Sequence, residues 1–185
     1  MPRVSNVEKQ KSHERILQAA AELSREKGIE NLSLADVMAA AGMTHGGFYR
    51  HFSSKEELAT AALARSVDGA VGNIEAAPEG AERDAARATY LKTYLSEEHL
   101  NTPRHGCPMA ALGSELARAD GPLKAEIANA TDRVAALLQG DKGIQEGYKK
   151  LALIVGAITI ARFAEDPAKA REILDAANEG LRQIS

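Results

Sequence analysis

The stretch AAGMTHGGFYRHFSSKEEL, from Ala40 to Leu58, interrupts a chain whose other segments are rich in helix-forming residues. It places two adjacent glycines, Gly46 and Gly47, beside a group of aromatic and basic side chains. Each glycine inside a helix costs about 1 kcal/mol relative to alanine. Two of them next to polar side chains indicate that this segment does something other than fill a core.

Helix-start and helix-stop residues divide the region around this stretch into four predicted helices. They run from about Asn6 to Gly28, from Ser33 to Gly42, from Thr44 to about His51, and onward from Ser53 or Ser54. The inward-facing positions predicted for the first two are Ile16, Leu17, Ala20, Leu23, Ser24, Leu34, Val37 and Met38.

The second and third predicted helices, joined by a turn at Gly42, form a helix-turn-helix. In such a unit the second helix enters the DNA major groove with its N-terminal residues toward the bases. Glycines at 46 and 47 would let the backbone approach the sugar–phosphate wall, where free amides can meet a phosphate. Phe48 and Phe52, four residues apart, should face inward and anchor this helix to the first one.

The polar side chains of the unit suit a double-stranded DNA partner. Thr44, Tyr49 and Lys55 carry the hydroxyl and ammonium groups that commonly contact phosphates. His45, Arg50 and His51 can reach base edges or further phosphates. Through Lys55 the chain has eight Lys and Arg against six acids, a charge of +2, which leaves −5 for the remainder. Because the net charge is −3, any DNA site must be a local surface.

The segment LSLADVMAAAGMTHGGFYRHFSSKEEL, residues 32–58, resembles the DNA-binding signature of the TetR family of bacterial transcriptional repressors, and the match extends over about residues 10–65. The resemblance implies phosphate contacts for Ser33, Thr44, Tyr49 and Lys55, close approach to DNA at Gly46, and a base-reading position at Gly47. It also implies a homodimer that binds a palindromic operator. His45 and Met38 depart from the family's usual residues, so the operator sequence does not follow from the resemblance.

The whole chain is predicted to be all-α, with about nine helices in two domains. Residues 1–55 would form a three-helix DNA-binding domain, and residues 56–185 a larger ligand-binding and dimerisation domain. The pattern also breaks at residues 76–80, which indicates a boundary or a bend. The later helices are predicted at 81–101, 107–119, 121–139, 143–165 and 167–184, separated by glycine and proline breakers.

The helix predicted at 143–165 is apolar on two faces, and a helix of that kind must bury both. One face carries Leu151, Ile154, Val155 and Ile158, and the other Leu153, Gly156, Ala157 and Ile160. The second face, with Leu174 and Leu181 of the last helix, is predicted to form a four-helix interface across a two-fold axis. The alternative is that both faces are buried within one subunit.

By analogy with the family, the middle helices hold a pocket for a small-molecule inducer of unknown identity. Its candidate lining residues are Tyr90, Tyr94, Met109, Leu112 and Leu116, each of which could equally belong to the core.

Cys107 precedes Pro108 and is therefore predicted to be the N-cap of a helix. Arg104 and His105 lie beside it in sequence, and such an environment favours the thiolate. The stretch resembles a TetR branch that includes electrophile- and oxidant-responsive repressors. One hypothesis is that modification of Cys107 releases DNA; the alternative is an inert cysteine of the core or pocket.

Other classes of protein fit the sequence less well. A thiol enzyme would need His105 or His99 as a base for Cys107, with no third group to orient it. An architectural DNA-binding protein would not need the large second domain. The five histidines lack metal-ligand spacing, so no metal or other cofactor is expected. The absence of a signal-like segment, a single cysteine and a longest apolar run of only 11 residues (151–161) predict a cytoplasmic protein with no membrane partner.

Overall fold

The computed structural model describes residues 6–140 and 143–184, and every regular element in these ranges is a helix. The α-helices are α1 (Asn6–Lys27), α2 (Leu34–Ala40), α3 (Lys55–Ala76), α4 (Ala81–Tyr94), α5 (Glu97–Asn101), α6 (Pro108–Arg118), α7 (Gly121–Leu138), α8 (Ile144–Ala161) and α9 (Pro167–Ile184). Two 3-10 helices, His45–Arg50 and Pro103–His105, lie between them. The all-α prediction is confirmed.

The first hydrophobic cluster joins α1, α2, the 3-10 helix His45–Arg50 and the first turns of α3. The predicted α1 stripe is buried throughout, and so are Val37 and Met38 of α2, whereas Leu34 is half-buried. Ser33 caps α2 by accepting a hydrogen bond from the Asp36 amide at 3.3 Å. Gly42 ends the turn after α2 with φ +69°, a conformation that favours glycine.

The start of α3 is a capping box, in which two side chains satisfy the free amides of the first turn. Ser54 is the cap and accepts from the Glu57 amide at 3.0 Å. The Glu57 carboxylate in turn accepts from the Ser53 amide at 2.6 Å. Both serines named by the sequence therefore contribute, one as the cap and the other as a partner of the reciprocal bond.

Two of the predicted helices differ from the observed ones. The segment predicted as a helix from Thr44 to His51 is a 3-10 helix, because its two glycines give little support to α-helical geometry. The predicted helix 81–101 is two helices, α4 and α5. Leu95 ends the first with non-helical backbone, and Ser96 caps the second by accepting from the His99 amide.

A second hydrophobic cluster holds the larger part of the chain together. It comprises the later turns of α3, the end of α4, and inner faces of α6, α7, α8 and α9. A small third cluster of Leu63, Leu112 and Leu116 lies between the two. Since the 22-residue α3 contributes to all three clusters, this single continuous helix connects the N-terminal unit to the larger part of the chain.

The structure corrects half of the residues assigned to the partner-facing surface. Ala157, Leu174 and Leu181 are between 3% and 8% exposed, because they pack into the second cluster of their own chain. Leu153 is half-buried and lies against Gly180 of α9. Gly156 is also half-buried, whereas Ile160 is 53% exposed.

Candidate nucleic-acid interface and adjoining cavity

Two aromatic anchors fix the 3-10 helix His45–Arg50 to the rest of the N-terminal unit. Phe48 is fully buried, Phe52 is 3% exposed, and their ring centroids are 5.9 Å apart. Phe52 also stacks on His13 of α1 at 4.6 Å. The inward orientation predicted for both phenylalanines is confirmed, and it leaves the opposite side of the 3-10 helix free.

That free side carries exposed polar side chains. Tyr49 is 70% exposed, and His45 and Arg50 are exposed as well. Thr44 occupies the N-cap position, but its hydroxyl makes no capping hydrogen bond, contrary to the expectation of a side-chain cap. The Thr44 hydroxyl and the phenol of Tyr49 are therefore both available to an external group.

The two glycines face different surroundings. A Cβ added at Gly46 would meet nothing within 4 Å, so this position opens to solvent. A Cβ at Gly47 would lie 3.4 Å from the Met38 methyl and 3.7 Å from that of Met43. Met38, the unusual residue of α2, fits where it does because Gly47 leaves room for its side chain. Gly47 thus has a packing role inside the unit in addition to the role predicted for it.

Three other residues predicted to contact DNA are less accessible than Tyr49 or already form hydrogen bonds within the chain. The Ser33 hydroxyl is the α2 cap, as described above. Lys55 is half-buried and donates to the Glu30 carbonyl at 2.9 Å. His51 is half-buried beside His13, with ring centroids 5.9 Å apart, and its Nδ1 has no hydrogen-bond partner among the described residues. Desolvation lowers the pKa of His51, and the nearby His13, Lys9 and Arg50 lower it further.

A cavity of about 380 Å³ lies where α1 meets α3, α4 and the segment that leads into α6. Among its lining residues are Arg25, Ser66, Tyr90, Tyr94, His99 and Cys107. It therefore includes three of the six residues predicted for the ligand or sensor site. Because α1 also belongs to the N-terminal unit, a molecule in this cavity would touch both parts of the protein.

The other three predicted pocket residues lie elsewhere. Met109 and Leu116 line a separate groove between α6 and α7. Leu112 is 4% exposed and packs with Leu63 in the third cluster. These residues are on other faces of α6 from the one that leads to Cys107, so the structure does not bring them together with Tyr90 and Tyr94.

His99 fixes the backbone around Cys107. Its Nδ1–H donates to the Tyr94 carbonyl at 2.6 Å, and its Nε2 accepts from the Cys107 amide at 2.9 Å. These two bonds require the neutral ring, and desolvation lowers the pKa of His99 in agreement with that. A Cβ added at Gly106 would lie only 2.5 Å from Nε2, so glycine is needed for the ring to approach.

The thiol of Cys107 does not cap α6, although Cys107 occupies the predicted N-cap position. Arg104 was expected to favour the thiolate of Cys107, but its guanidinium pairs with Glu22 at 2.8 Å and lies 3.8 Å from Glu26. The proposed enzyme base is also engaged: both ring nitrogens of His99 bind backbone groups. His105 is exposed at the cavity rim.

Sequence reasoning did not single out two residues that join the N-terminal unit to the larger part of the chain. Arg25 of α1 donates from Nε to the Arg104 carbonyl at 2.7 Å and from Nη1 to the Ser66 hydroxyl. Glu115 of α6 accepts from the amides of Ile29 and Glu30 at 2.7 and 3.1 Å. The sequence gives no signal for either, since both look like ordinary charged helix residues whose partners lie between 41 and 86 positions away.

Two further properties bear on the class of protein. Within the described ranges, no group of three or more His, Cys, Asp or Glu residues is arranged to hold a metal ion. None of the described helices combines the length and apolar composition needed to span a bilayer.

Comparison with known proteins gives a family for the N-terminal unit. Residues 16–62 match the family model described as bacterial regulatory proteins, tetR family. An uncharacterised HTH-type transcriptional regulator of Bacillus subtilis, YvdT, is 36% identical over 93 residues, which cover 50% of this chain and 46% of that protein. TtgR, an HTH-type transcriptional regulator of Pseudomonas putida, is 36% identical over 63 residues, 34% of this chain and 30% of TtgR. The chain thus spans less than half the length of these relatives.

Solved structures extend the likeness of fold to nearly the whole chain. The reduced form of Escherichia coli NemR superposes with a TM-score of 0.76 at 21% identity, covering 94% of this chain and 96% of NemR. A TetR transcriptional regulator from Legionella pneumophila superposes with a TM-score of 0.72 at 16% identity, covering 97% and 99%. At these identities the likeness establishes a shared fold for both the helix-turn-helix unit and the larger helical part.

Proposed function

We propose that the chain is a member of the TetR family of bacterial regulatory proteins and acts as a DNA-binding transcriptional regulator, most simply a repressor. The family-model match over residues 16–62 and the likeness of its N-terminal half to known regulators support this. In this proposal the 3-10 helix His45–Arg50 enters the major groove of a palindromic operator. Thr44, Tyr49 and Lys55 contact phosphates, and His45 and Arg50 face the base edges. The catalytic alternative loses support, because His99 is engaged by backbone groups and the relatives are regulators.

One observation carries the proposal: the 3-10 helix is anchored from one side only. Phe48 and Phe52 hold it against α1, while Tyr49, Arg50 and the open position at Gly46 point away from the protein. A segment with only a packing role is not expected to leave the ring of Tyr49 70% exposed beside the unobstructed backbone at Gly46. Phosphate and base contacts account for both features.

We assign residues 1–55 to DNA binding and residues 56–185 to ligand binding and dimerisation. Support for the dimer comes from the end of α8, where Ile160 in the helix is 53% exposed and Phe163 in the turn that follows is 75% exposed. Ile160 lies on the same side of α8 as the half-buried Gly156, four residues before it, where a second helix could approach closely. Two such surfaces facing each other would bury apolar area that a monomer leaves in water.

We further propose that DNA is released when the cavity beside Cys107 is filled or when its thiol is modified. A thiolate that adds to the double bond of an N-substituted maleimide forms a C–S bond, and the neighbouring carbon takes up a proton, so no group leaves. The adduct would occupy the space between α1 and α6. Since α1 packs against the helix-turn-helix, a shift of α1 would move that unit. The separation of the two DNA-reading heads of a dimer would then change.

The test is binding of the purified protein to its own promoter region, followed by fluorescence anisotropy at fixed salt. Specific binding by the wild-type protein and its loss in Tyr49→Ala support the repressor. Arg87→Gln, on α4 and far from the 3-10 helix, is the control and should bind like wild type. Equal affinity for promoter and unrelated DNA would contradict the proposal.

The sensor hypothesis is tested in the same assay after treatment with N-ethylmaleimide. Release by wild type and retention by Cys107→Ser would support control through the thiol. Release by both proteins, or by neither, would exclude the thiol and leave reversible filling of the cavity as the proposed control.

A further inference from the structure

The cavity beside Cys107 contains a buried cation with no carboxylate partner. Arg25 is 9% exposed, and its two hydrogen-bond acceptors, the Arg104 carbonyl and the Ser66 hydroxyl, are both neutral. No carboxylate of the described residues forms an ion pair with its guanidinium. Glu22, the carboxylate whose charge acts on Arg25, is itself paired with Arg104. A buried charge of this kind is costly unless an anion balances it.

The same cavity contains a buried hydroxyl without a partner. Tyr94 is 4% exposed, and its hydroxyl makes no hydrogen bond among the described residues. Desolvation is the main cause that raises the pKa of this phenol, and the adjacent Cys107 thiol and Tyr90 raise it further, so the hydroxyl stays protonated and can donate. The thiol is a weak acceptor, which leaves a stronger oxygen acceptor to be supplied by a ligand. Buried polar groups almost always have a partner, and an exception calls for one supplied from outside.

The remaining wall defines what kind of molecule fits. Arg65 adds a second cation at the opening, where its Nε lies 3.4 Å from Glu14. Glu98 is the one acid among the described lining residues, against Arg25 and Arg65. Ala21, Ala70 and the ring of Tyr90 supply apolar surface. A volume of about 380 Å³ is at the small end of the range for organic ligands.

We propose that this cavity binds a small organic acid. Arg25 holds its carboxylate, the Tyr94 hydroxyl donates to an oxygen of the ligand, and the apolar body lies against Tyr90 and Ala70. The role of such an acid as inducer rests on the proposed function, but its binding does not, because the cavity is complete in the absence of DNA. The balancing charge explains why an arginine is buried at this position.

The proposal is tested by isothermal titration calorimetry on the full chain without DNA. The probes are benzoate, cinnamate and 3-phenylpropanoate, each compared with its uncharged amide, and sodium sulfate as an inorganic anion. We expect at least one of the acids to bind at least tenfold more tightly than its amide, since a charge-assisted hydrogen bond is lost with the charge. The apolar wall predicts that sulfate binds more weakly than that acid.

Variants identify the groups responsible. Arg25→Gln should reduce affinity for the acid at least tenfold and remove the preference over the amide, whereas Arg25→Lys should keep a preference. Arg87→Gln is the matched control, because Arg87 also donates to a backbone carbonyl and to one side chain but lies outside the cavity. Tyr94→Phe removes only a hydroxyl that makes no hydrogen bond to an oxygen or nitrogen of the described residues, so it should fold normally and still weaken binding of the acid.

The proposal is overturned if none of the acids binds, if each acid and its amide bind equally, or if Tyr94→Phe binds the acid as wild type does. Binding of sulfate as tight as that of every acid would reduce the site to a general anion site and would also overturn it. None of these outcomes affects the promoter assay, which tests the repressor proposal independently of ligand binding.

Discussion

At the scale of single residues, Arg50 and Lys55 would present two different kinds of basic group to DNA in the proposed complex. Arg50 is exposed with a planar guanidinium, which can form paired hydrogen bonds with a guanine edge. Lys55 already donates one of its three hydrogens to the Glu30 carbonyl, and the other two remain for a phosphate oxygen. The first arrangement can read sequence, whereas the second can only hold the backbone.

Substitution of these two residues should therefore have different consequences. Arg50→Ala is expected to weaken binding of the operator by about 1–3 kcal/mol and to relax the preference at one base pair. Lys55→Ala should weaken all sequences alike and reduce the dependence on salt by about one phosphate contact. Anisotropy titrations over single-base operator variants at several salt concentrations measure both effects. Uniform loss in both variants would contradict the distinction.

His99 provides a second prediction at this scale, because its neutral ring joins two backbone groups. Its pKa is lowered in the folded protein, so the unfolded chain binds a proton more readily below pH 6.5. The stability associated with the neutral ring is therefore complete above pH 6.5 and is lost as the pH falls below that value. Half-buried His51, whose pKa is also lowered, acts in the same direction.

We expect the melting temperature of the wild-type protein to fall between pH 7.5 and pH 5.5, and the fall to be smaller in His99→Gln. His45→Gln, a substitution of an exposed histidine, serves as the control and should show the wild-type decrease. Differential scanning calorimetry at both pH values gives the comparison. A decrease of the same size in His99→Gln would mean that His99 does not contribute.

At the scale of elements, the sequence predicts helices that begin and end at capping residues, and it fails where the outcome depends on distant contacts. The ends at Gly28 and Gly42 and the caps at Ser33 and Ser54 are local features, so they could be predicted. The division of residues 81–101 into α4 and α5 places His99 against the Tyr94 carbonyl and the Cys107 amide. The local sequence pattern does not predict those contacts, because they form only when the 96–107 segment folds back onto the end of α4.

In the candidate site, too, the local features could be predicted from the sequence, and the features that depend on distant contacts could not. The polar side of the 3-10 helix follows from spacing, since Phe48 and Phe52 must share its buried side. The cavity does not, because it requires α1 to lie beside α4 and α6. Pattern and resemblance therefore identify Tyr90 and Tyr94 but not Arg25, whose partners are contributed by other elements.

Glu115 links α6 to the chain that follows α1, and a prediction at the scale of elements concerns this link. Glu115→Ala leaves the amides of Ile29 and Glu30 without their acceptor, and we expect the free energy of unfolding to fall by about 2 kcal/mol. Glu165→Ala, which removes an exposed carboxylate in the turn after α8, should change it by less than about 0.5 kcal/mol. Urea denaturation followed by circular dichroism measures both, and equal effects would show that the link is not stabilising.

At the scale of the whole molecule, the exposed stripe at the end of α8 is the surface through which we propose that two chains associate. Gly156 and Ile160, four residues apart, lie on the side of α8 that the chain's own core does not cover, and the exposed Phe163 follows in the turn after the helix. These three residues form the exposed stripe. Leu153, next to them, contacts Gly180 of α9, so the stripe adjoins the last helix. Since a palindromic operator requires two reading heads at a fixed separation, DNA affinity should depend on this surface.

Ile160→Glu places a charge at the centre of the stripe without touching the core, because Ile160 is 53% exposed in a single chain. In the proposed dimer that charge would be buried against its own copy, so we expect a monomer in sedimentation equilibrium and a loss of operator binding of at least tenfold. Ile144→Glu is the matched control, since Ile144 is 37% exposed on a different face of the same helix. It should leave both the dimer and the affinity intact. A dimer that survives Ile160→Glu would mean that the chains associate through another surface, and the geometry of the two reading heads would then have to be derived from that surface instead.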